Sequence, residues 1–238
     1  MIKRLSASGA RIAYVAGTSM VVDLPARASF SFADIEGLGM PSTITHTGKI
    51  ELNELNGKQL IQVCGRLHPY ETGSTAAMRP VYDLLAASGV EKVIIGGAVG
   101  SLDKNISPGN IVQVRDHIFL SGTSPLTGLP NAFVDMAAAY DPLPGLLSTT
   151  YAWTHGPQLE TVAEIKALRK MGAQVVGMSM PPETILARYY GMKVVGIASV
   201  LNWASGIGTP HSIEEMLAHG TGASAKIAPI IESILDRN

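Results

Sequence analysis

His155-Gly156-Pro157-Gln158-Leu159-Glu160-Thr161-Val162-Ala163-Glu164 lies at the head of the stretch 151–202, around which the rest of the chain is organised. Thr161 and Glu164 have the S/T-x-x-E spacing of a capping box, so a helix is expected to begin there and to end before Gly172. Beyond it, residues 174–179 read as a strand. Residues 182–190 read as a helix with proline in its first turn and Gly191 at its end, and 193–201 as another strand. Helices alternating with strands indicate an α/β sheet. Glu160 stands just outside the first helix, on a turn made by Gly156 and Pro157. Read locally it has two possible roles: a solvated surface carboxylate, the common fate of charged side chains, or a carboxylate held at a helix mouth to face a ligand.

Near the start of the chain, residues 11–16 form a β-prone run that ends in Gly17-Thr18-Ser19, a small-residue turn. Backbone N–H groups and hydroxyls of such a turn suit an anion, although many turns of this kind bind nothing. Residues 24–48 read as loop with short strands, ending in His46-Thr47-Gly48. Two β-type runs, 49–55 and 59–64, meet at Asn56-Gly57, the dipeptide that favours a tight hairpin. The hairpin delivers Gly65-Arg66-Leu67-His68-Pro69-Tyr70-Glu71 to a strand end, either for recognition or as a structural Arg–Glu pair. A helix is expected over 76–87 after Ser74-Thr75, then a buried strand over 92–95 leading into a glycine-rich loop, Gly96-Gly97-Ala98-Val99-Gly100-Ser101. Counted from Gly97, the dinucleotide pattern G-x-G-x-x-G would need glycine where Leu102 stands, so that fingerprint is not supported. Residues 107–110 read as a turn, 111–115 as a strand with Asp116-His117 as its polar end, 121–131 as loop and 133–140 as a connector or short helix. An amphipathic helix should run from about 212 to the end, interrupted by Gly220 and Gly222. No repeat or linker interrupts the pattern, which reads as one domain over 1–238.

With 46% hydrophobic and 16% charged residues, the chain has the composition of a well-buried α/β protein with oligomer contacts. A net charge of −1 without a basic run argues against a nucleic-acid partner and in favour of small ligands. The apolar runs are too short to span a membrane, and Met1-Ile2-Lys3-Arg4-Leu5 is not followed by the apolar centre of a signal peptide; cytoplasmic residence is the expectation. The single Cys64 falls within a buried-strand pattern, which suggests packing, and the six histidines show no metal-ligand spacing, so no metal site is expected.

Four ordered motifs give the chain a resemblance to a known family: Gly65-Arg66-Leu67-His68-Pro69-Tyr70-Glu71; Gly109-Asn110-Ile111-Val112 with Arg115-Asp116-His117-Ile118; Gly156-Pro157-Gln158-Leu159-Glu160-Thr161; and Gly177-Met178-Ser179. Over residues 11–220 they resemble the trimeric purine nucleoside phosphorylases and their methylthioadenosine phosphorylase relatives. The resemblance implies a single α/β domain with a mixed central β-sheet, partly barrel-like and flanked by helices, of the phosphorylase/hydrolase-like kind. It implies phosphorolysis of purine nucleosides with inorganic phosphate as co-substrate, no cofactor, and a homotrimer or dimer of trimers. By the same resemblance Thr18, His46, Arg66, His68, Ala98 and Ser179 surround phosphate, Tyr70 and Met178 pack on the ribose, and Glu160 and Asn202 face the purine, with Asn202, His68 and Glu160 as the catalytic set. An oxyanion nucleophile calls for hydroxyls, N–H groups and a guanidinium fork, which agrees with those residue types.

The chain departs from the family pattern in places. Leu159 stands where the family has phenylalanine before the carboxylate, and Asn202, rather than aspartate, favours a 6-oxopurine. At the 5′ end of the ribose, His211 would suit a hydroxyl and Ile213 a 5′-methylthio group, so a methylthioadenosine or methylthioinosine phosphorylase remains an alternative, as does a purine-binding homologue without turnover. Phe133 and Leu129 are both candidates for the side chain lent by a neighbouring subunit. Trp203 matches nothing in the pattern and reads as a packing residue.

Overall fold

Alternation of side chains along the central strands organises the molecule, because each strand feeds two cores at once. In the computed structural model, which describes residues 1–43, 45–120, 122–209 and 212–237 with the side chains of 213 and 217 excepted, the strands are β1 (Ile12–Ala16), β2 (Ala26–Ser31), β3 (Lys49–Leu55), β4 (Lys58–Cys64), β5 (Lys92–Ser101), β6 (Ile111–Ile118), β7 (Ser148–Trp153), β8 (Val175–Gly177) and β9 (Lys193–Trp203). The helices are α1 (Ile2–Ala7), α2 (Pro69–Thr72), α3 (Arg79–Ala87), α4 (Val162–Lys170), α5 (Met180–Tyr189), α6 (Ile213–Gly220) and α7 (Ala223–Asp236). Val93 and Ile95 of β5, with Val194 and Ala198 of β9, pack with Met180, Leu186 and Ala187 of α5 in one core. The intervening Ile94, Val195 and Ile197 pack with Ile227, Ile231 and Ile234 of α7 in the other. A period of two thus clothes the sheet with helices on both sides.

The strands form one sheet in the order β2-β3-β4-β1-β5-β8-β7-β6-β9, and β9 also pairs with β5. The five strands β5, β8, β7, β6 and β9 therefore close on themselves, and β1, β4, β3 and β2 continue the sheet outward. This is the mixed, partly barrel-like sheet that the resemblance implied. β1 runs parallel to β4 and β5, and β5 parallel to β9. Those strands end on one side, at Ala16, Cys64, Ser101 and Trp203, and the loops leaving them share that side.

The hairpin forms at Asn56-Gly57, both residues having positive φ (52° and 79°), with Leu55 opposite Lys58. The capping box also forms: Thr161 Oγ1 accepts from Glu164 N at 3.2 Å, and Thr161 N donates to Glu164 Oε2 at 2.7 Å. Cys64 is buried, and burial pushes its thiol up to about 12. Elsewhere the structure differs from expectation. The glycine-rich segment is not a loop but the second half of β5, because β9 and β8 pair with it; likewise β9 runs on through Asn202 and Trp203. The segment expected as one helix over 76–87 begins as a 3₁₀ turn, Thr75–Met78, and becomes α3 only where Pro80 fits the first turn. The strand expected over 174–179 stops at Gly177, and α5 starts two residues before the expected 182. Residues 133–140 contain no helix, and α6 and α7 are separated at Thr221-Gly222, where Gly222 has φ 82°.

At Gly177 the packing leaves no room for a side chain: a Cβ would lie 2.3 Å from Tyr151 Oη and 3.1 Å from Ala98 O. Gly177→Ala is therefore expected to destabilise the protein by about 1–3 kcal/mol, the usual range for overpacking. Urea unfolding measures this, and an unchanged midpoint would show that the buried tyrosine yields freely.

Candidate active site

Arg66 leaves the end of β4 just after Gly65, whose φ of 103° and contact with His46, 2.6 Å from a would-be Cβ to His46 Cβ, require glycine. The guanidinium is buried, and its Nε and Nη2 are engaged. Its Nε donates to Glu183 Oε1 at 3.1 Å and lies 3.0 Å from Oε2 as an ion pair, and its Nη2 donates to Gly96 O at 2.6 Å and Val15 O at 3.4 Å. Burial would pull Arg66 down, and the Glu183 carboxylate outweighs it, holding the guanidinium above its ordinary pKa. Glu183, also buried, is pushed upward by desolvation and held back by Arg66. The opposite pulls resolve in favour of the ion pair, because Arg66 stays charged and a buried charge needs its partner. Only Nη1 remains for the cavity, and it lies 2.7 Å from where a Cβ on Gly17 would stand. The Arg–Glu pair is thus Arg66–Glu183 rather than Arg66–Glu71.

Glu71 serves the neighbouring loop instead. Its Oε1 accepts from both Ser42 N and Ser42 Oγ at 2.6 Å, and its Oε2 accepts from His68 N at 2.7 Å and lies 3.2 Å from His68 Nδ1. Against the burial that would raise it, these donors hold Glu71 down at about 2. The rings of His46 and His68 stack at 5.2 Å, and those of His68 and Tyr70 at 4.8 Å. His46 Nδ1 lies 3.0 Å from Arg66 O, and its buried Nε2 has no partner among the described residues.

A cavity of about 270 Å³ opens at this end of the sheet. Thr18, Arg66, His68, Ala98 and Ser179 line it together with Tyr70, Met178, Leu159, Glu160 and Asn202. Ser179 is the N-cap residue of α5; its N donates to Tyr151 Oη at 3.2 Å and its Oγ lies 3.5 Å from the same hydroxyl. A helix N-terminus, hydroxyls and a guanidinium converging on one wall favour an anion. Asn202 is buried, and its Nδ2 donates to Trp203 O at 2.9 Å. Glu160 Oε1 accepts from Thr154 Oγ1 at 2.6 Å. His46 sits behind His68 and is not part of the lining, His211 lies outside the described residues, and Ile213 is described only as the backbone start of α6. Trp203 packs against Gly208 outside the cavity. Among the described residues no group of three His, Cys, Asp or Glu side chains is placed to hold a metal ion, and no helix is long and apolar enough to cross a membrane.

Comparison with known proteins matches residues 11–236 to the phosphorylase superfamily. The chain is 35% identical over 221 residues to purine nucleoside phosphorylase of Mycobacterium leprae (strain TN), covering 89% of this chain and 82% of that protein. The chain belongs to the phosphorylase superfamily, among its purine nucleoside phosphorylases. Purine nucleoside phosphorylase 1 of Bacillus subtilis (strain 168) is 32% identical over 223 residues, 86% of this chain and 82% of that protein. The fold matches that of Schistosoma mansoni purine nucleoside phosphorylase in complex with inosine, with a TM-score of 0.87 at 24% identity, covering all of this chain (100%) and 96% of that one.

In this chain, sequence reasoning missed Glu183, Tyr151 and Thr154 behind the cavity and Thr43, Ser205 and Met216 on its wall. Glu183 left a signal, a carboxylate alone in the apolar run Met180-Pro181-Pro182-Glu183-Thr184-Ile185-Leu186, one turn after Ser179. Met216 left none, because α6 reaches the cavity only through the packing of α6 on β9.

Two outcomes are expected. Glu183→Leu orphans a buried guanidinium and should destabilise the protein by about 3–5 kcal/mol in urea unfolding; a loss below about 1 kcal/mol would be that of an exposed pair. Burial, with the Arg66 charge second, depresses His46 to about 4 and His68 to about 3. Free histidine titrates near about 6.5, so the unfolded chain takes up protons first as pH falls. Their contribution to stability is complete above that value and is lost as pH falls through about 4 and then about 3. The thermal midpoint should decline across that acid window, and less steeply in His46→Gln; parallel profiles would contradict the assignment.

Proposed function

We propose that this protein cleaves the N-glycosidic bond of 6-oxopurine ribonucleosides and deoxyribonucleosides with phosphate, giving the free base and ribose or deoxyribose 1-phosphate. The observation that carries the reading is one cavity with an anion-suited wall, Thr18, Arg66, His68 and Ser179, and a wall of base-edge hydrogen-bonding groups, Glu160 and Asn202. A phosphate oxygen attacks C1′, the bond from C1′ to the purine nitrogen breaks, and its electron pair leaves with the base, which then takes a proton. Such a reaction asks for positioning and for stabilisation of the leaving charge, not for a covalent intermediate. In this reading Glu160 accepts a ring N–H, Asn202 donates to the base as it gains charge, Tyr70, Met178 and Leu159 enclose the sugar and base, and Ala98 completes the phosphate end, with His46 stacked behind His68. Phosphate is then a co-substrate, no cofactor or metal is needed, and the working form is a cytoplasmic homotrimer to which the exposed Phe133 contributes a contact between copies.

A second reading is favoured by Met216, an apolar side chain of α6 on the cavity wall. It suits a 5′-methylthio group better than a hydroxyl, which makes 5′-methylthio-nucleosides the alternative substrates. Base release from inosine, guanosine, adenosine, methylthioadenosine and methylthioinosine, each with and without phosphate, tests both. The expected result is phosphate-dependent release of hypoxanthine, reduced about 10²–10³-fold in kcat by Asn202→Ala, the usual loss for one donor to a developing anion. Phosphate-independent release, or near-full turnover in the variant, would overturn the reading, and binding of purine without release would make the protein a purine-binding homologue.

A further inference from the structure

Glu160 is held from two directions by groups outside the family motif that contains it. Thr154 follows the last residue of β7, and its N–H donates to Gly177 O at 3.0 Å, which pins its backbone to the end of β8. From there its Oγ1 donates to Glu160 Oε1 at 2.6 Å. On the main-chain side, Ser205 Oγ donates to Glu160 O at 2.6 Å. Glu160 and Ser205 line the cavity and Thr154 does not, and the bond from Thr154 takes Oε1, which leaves Oε2 for a ligand.

We propose that Thr154 is a positioning residue that sets base specificity, favouring a purine that presents one N–H to Glu160 over one that presents two side by side. This rests on the reading of Glu160 as the base-facing acceptor. Hypoxanthine offers a single donor on that edge, its N1–H, and Oε2 suffices to accept it. Guanine offers N1–H and the adjacent 2-amino group, a pair that matches both oxygens of a carboxylate as a fork. With Oε1 already engaged by Thr154 and the carboxylate plane fixed by that bond, the second donor must share Oε1 or displace the hydroxyl. Displacement leaves a part-buried hydroxyl without its acceptor, which opposes binding. The fixed plane also presents Oε2 to hypoxanthine before binding, so less freedom is lost when the base arrives.

Equilibrium dialysis of inosine and guanosine in phosphate-free buffer tests the proposal without requiring turnover. The wild type should bind inosine more tightly than guanosine. Thr154→Val, which keeps the shape and removes the hydroxyl, should shift the guanosine-to-inosine ratio of Kd toward guanosine about ten-fold, the size of one hydrogen bond. Thr154→Ser, which restores the hydroxyl, should return the ratio toward that of the wild type; a merely structural role would weaken both nucleosides equally. A ratio within about two-fold of wild type in Thr154→Val, or a wild type that binds guanosine as tightly as inosine, would overturn the proposal. Failure of the wild type to bind either nucleoside would instead overturn the purine reading beneath it.

Discussion

The buried ion pair between Arg66 and Glu183 is the constraint on which the cavity depends. A guanidinium can be taken out of water only where its charge and N–H groups find partners. Here a carboxylate from α5 and carbonyls from β1 and β5 provide them, which ties the chain after β4 to three other elements at one point. The same helix supplies Ser179 at its N-terminus, so the hydroxyl and the guanidinium on the anion-suited wall are fixed relative to each other by a single turn of α5. Pairing Nε and Nη2 leaves Nη1 as the nitrogen without an acceptor among the described residues.

Around that point the remaining groups are fastened by short-range contacts. Glu71 grips Ser42 and orients His68, so the loop that carries Thr43 and His46 is attached to the loop that carries Arg66. Tyr151, buried in the barrel, holds Ser179 from beneath. On the opposite wall Thr154 and Ser205 do the same for Glu160. The arrangement follows from the sheet: β1, β4, β5 and β9 end on one side, and closure of β5 through β9 brings Asn202 against Gly100 and within the same cavity as Ser179.

Local chemistry made much of this legible in the sequence. Asn56-Gly57 announced the hairpin, Thr161 and Glu164 the start of α4, and the family resemblance that the ordered motifs carry named ten of the residues that line the cavity. What escaped was non-local. The glycines at 96, 97 and 100 read as a loop by composition, but pairing with β9, and at Gly100 also with β8, makes them β5, and their lack of side chains lets Tyr14, Ser179 and Asn202 approach. Glu71 stood nearest Arg66 in sequence, yet the partner came from 117 residues away. Thr154 and Met216 belong to no motif, and only tertiary packing brings them to the site.

In the function proposed above, the paired guanidinium of Arg66 would hold phosphate in this cavity. Equilibrium dialysis with radiolabelled phosphate, comparing the wild type with the double variant Arg66→Met and Glu183→Met, tests it most directly. Replacing both partners with apolar side chains leaves no orphaned charge, so the variant should remain folded. Saturable binding to the wild type and its loss in the folded double variant are expected; equal binding of phosphate by that variant would rule out Arg66 as the anchor.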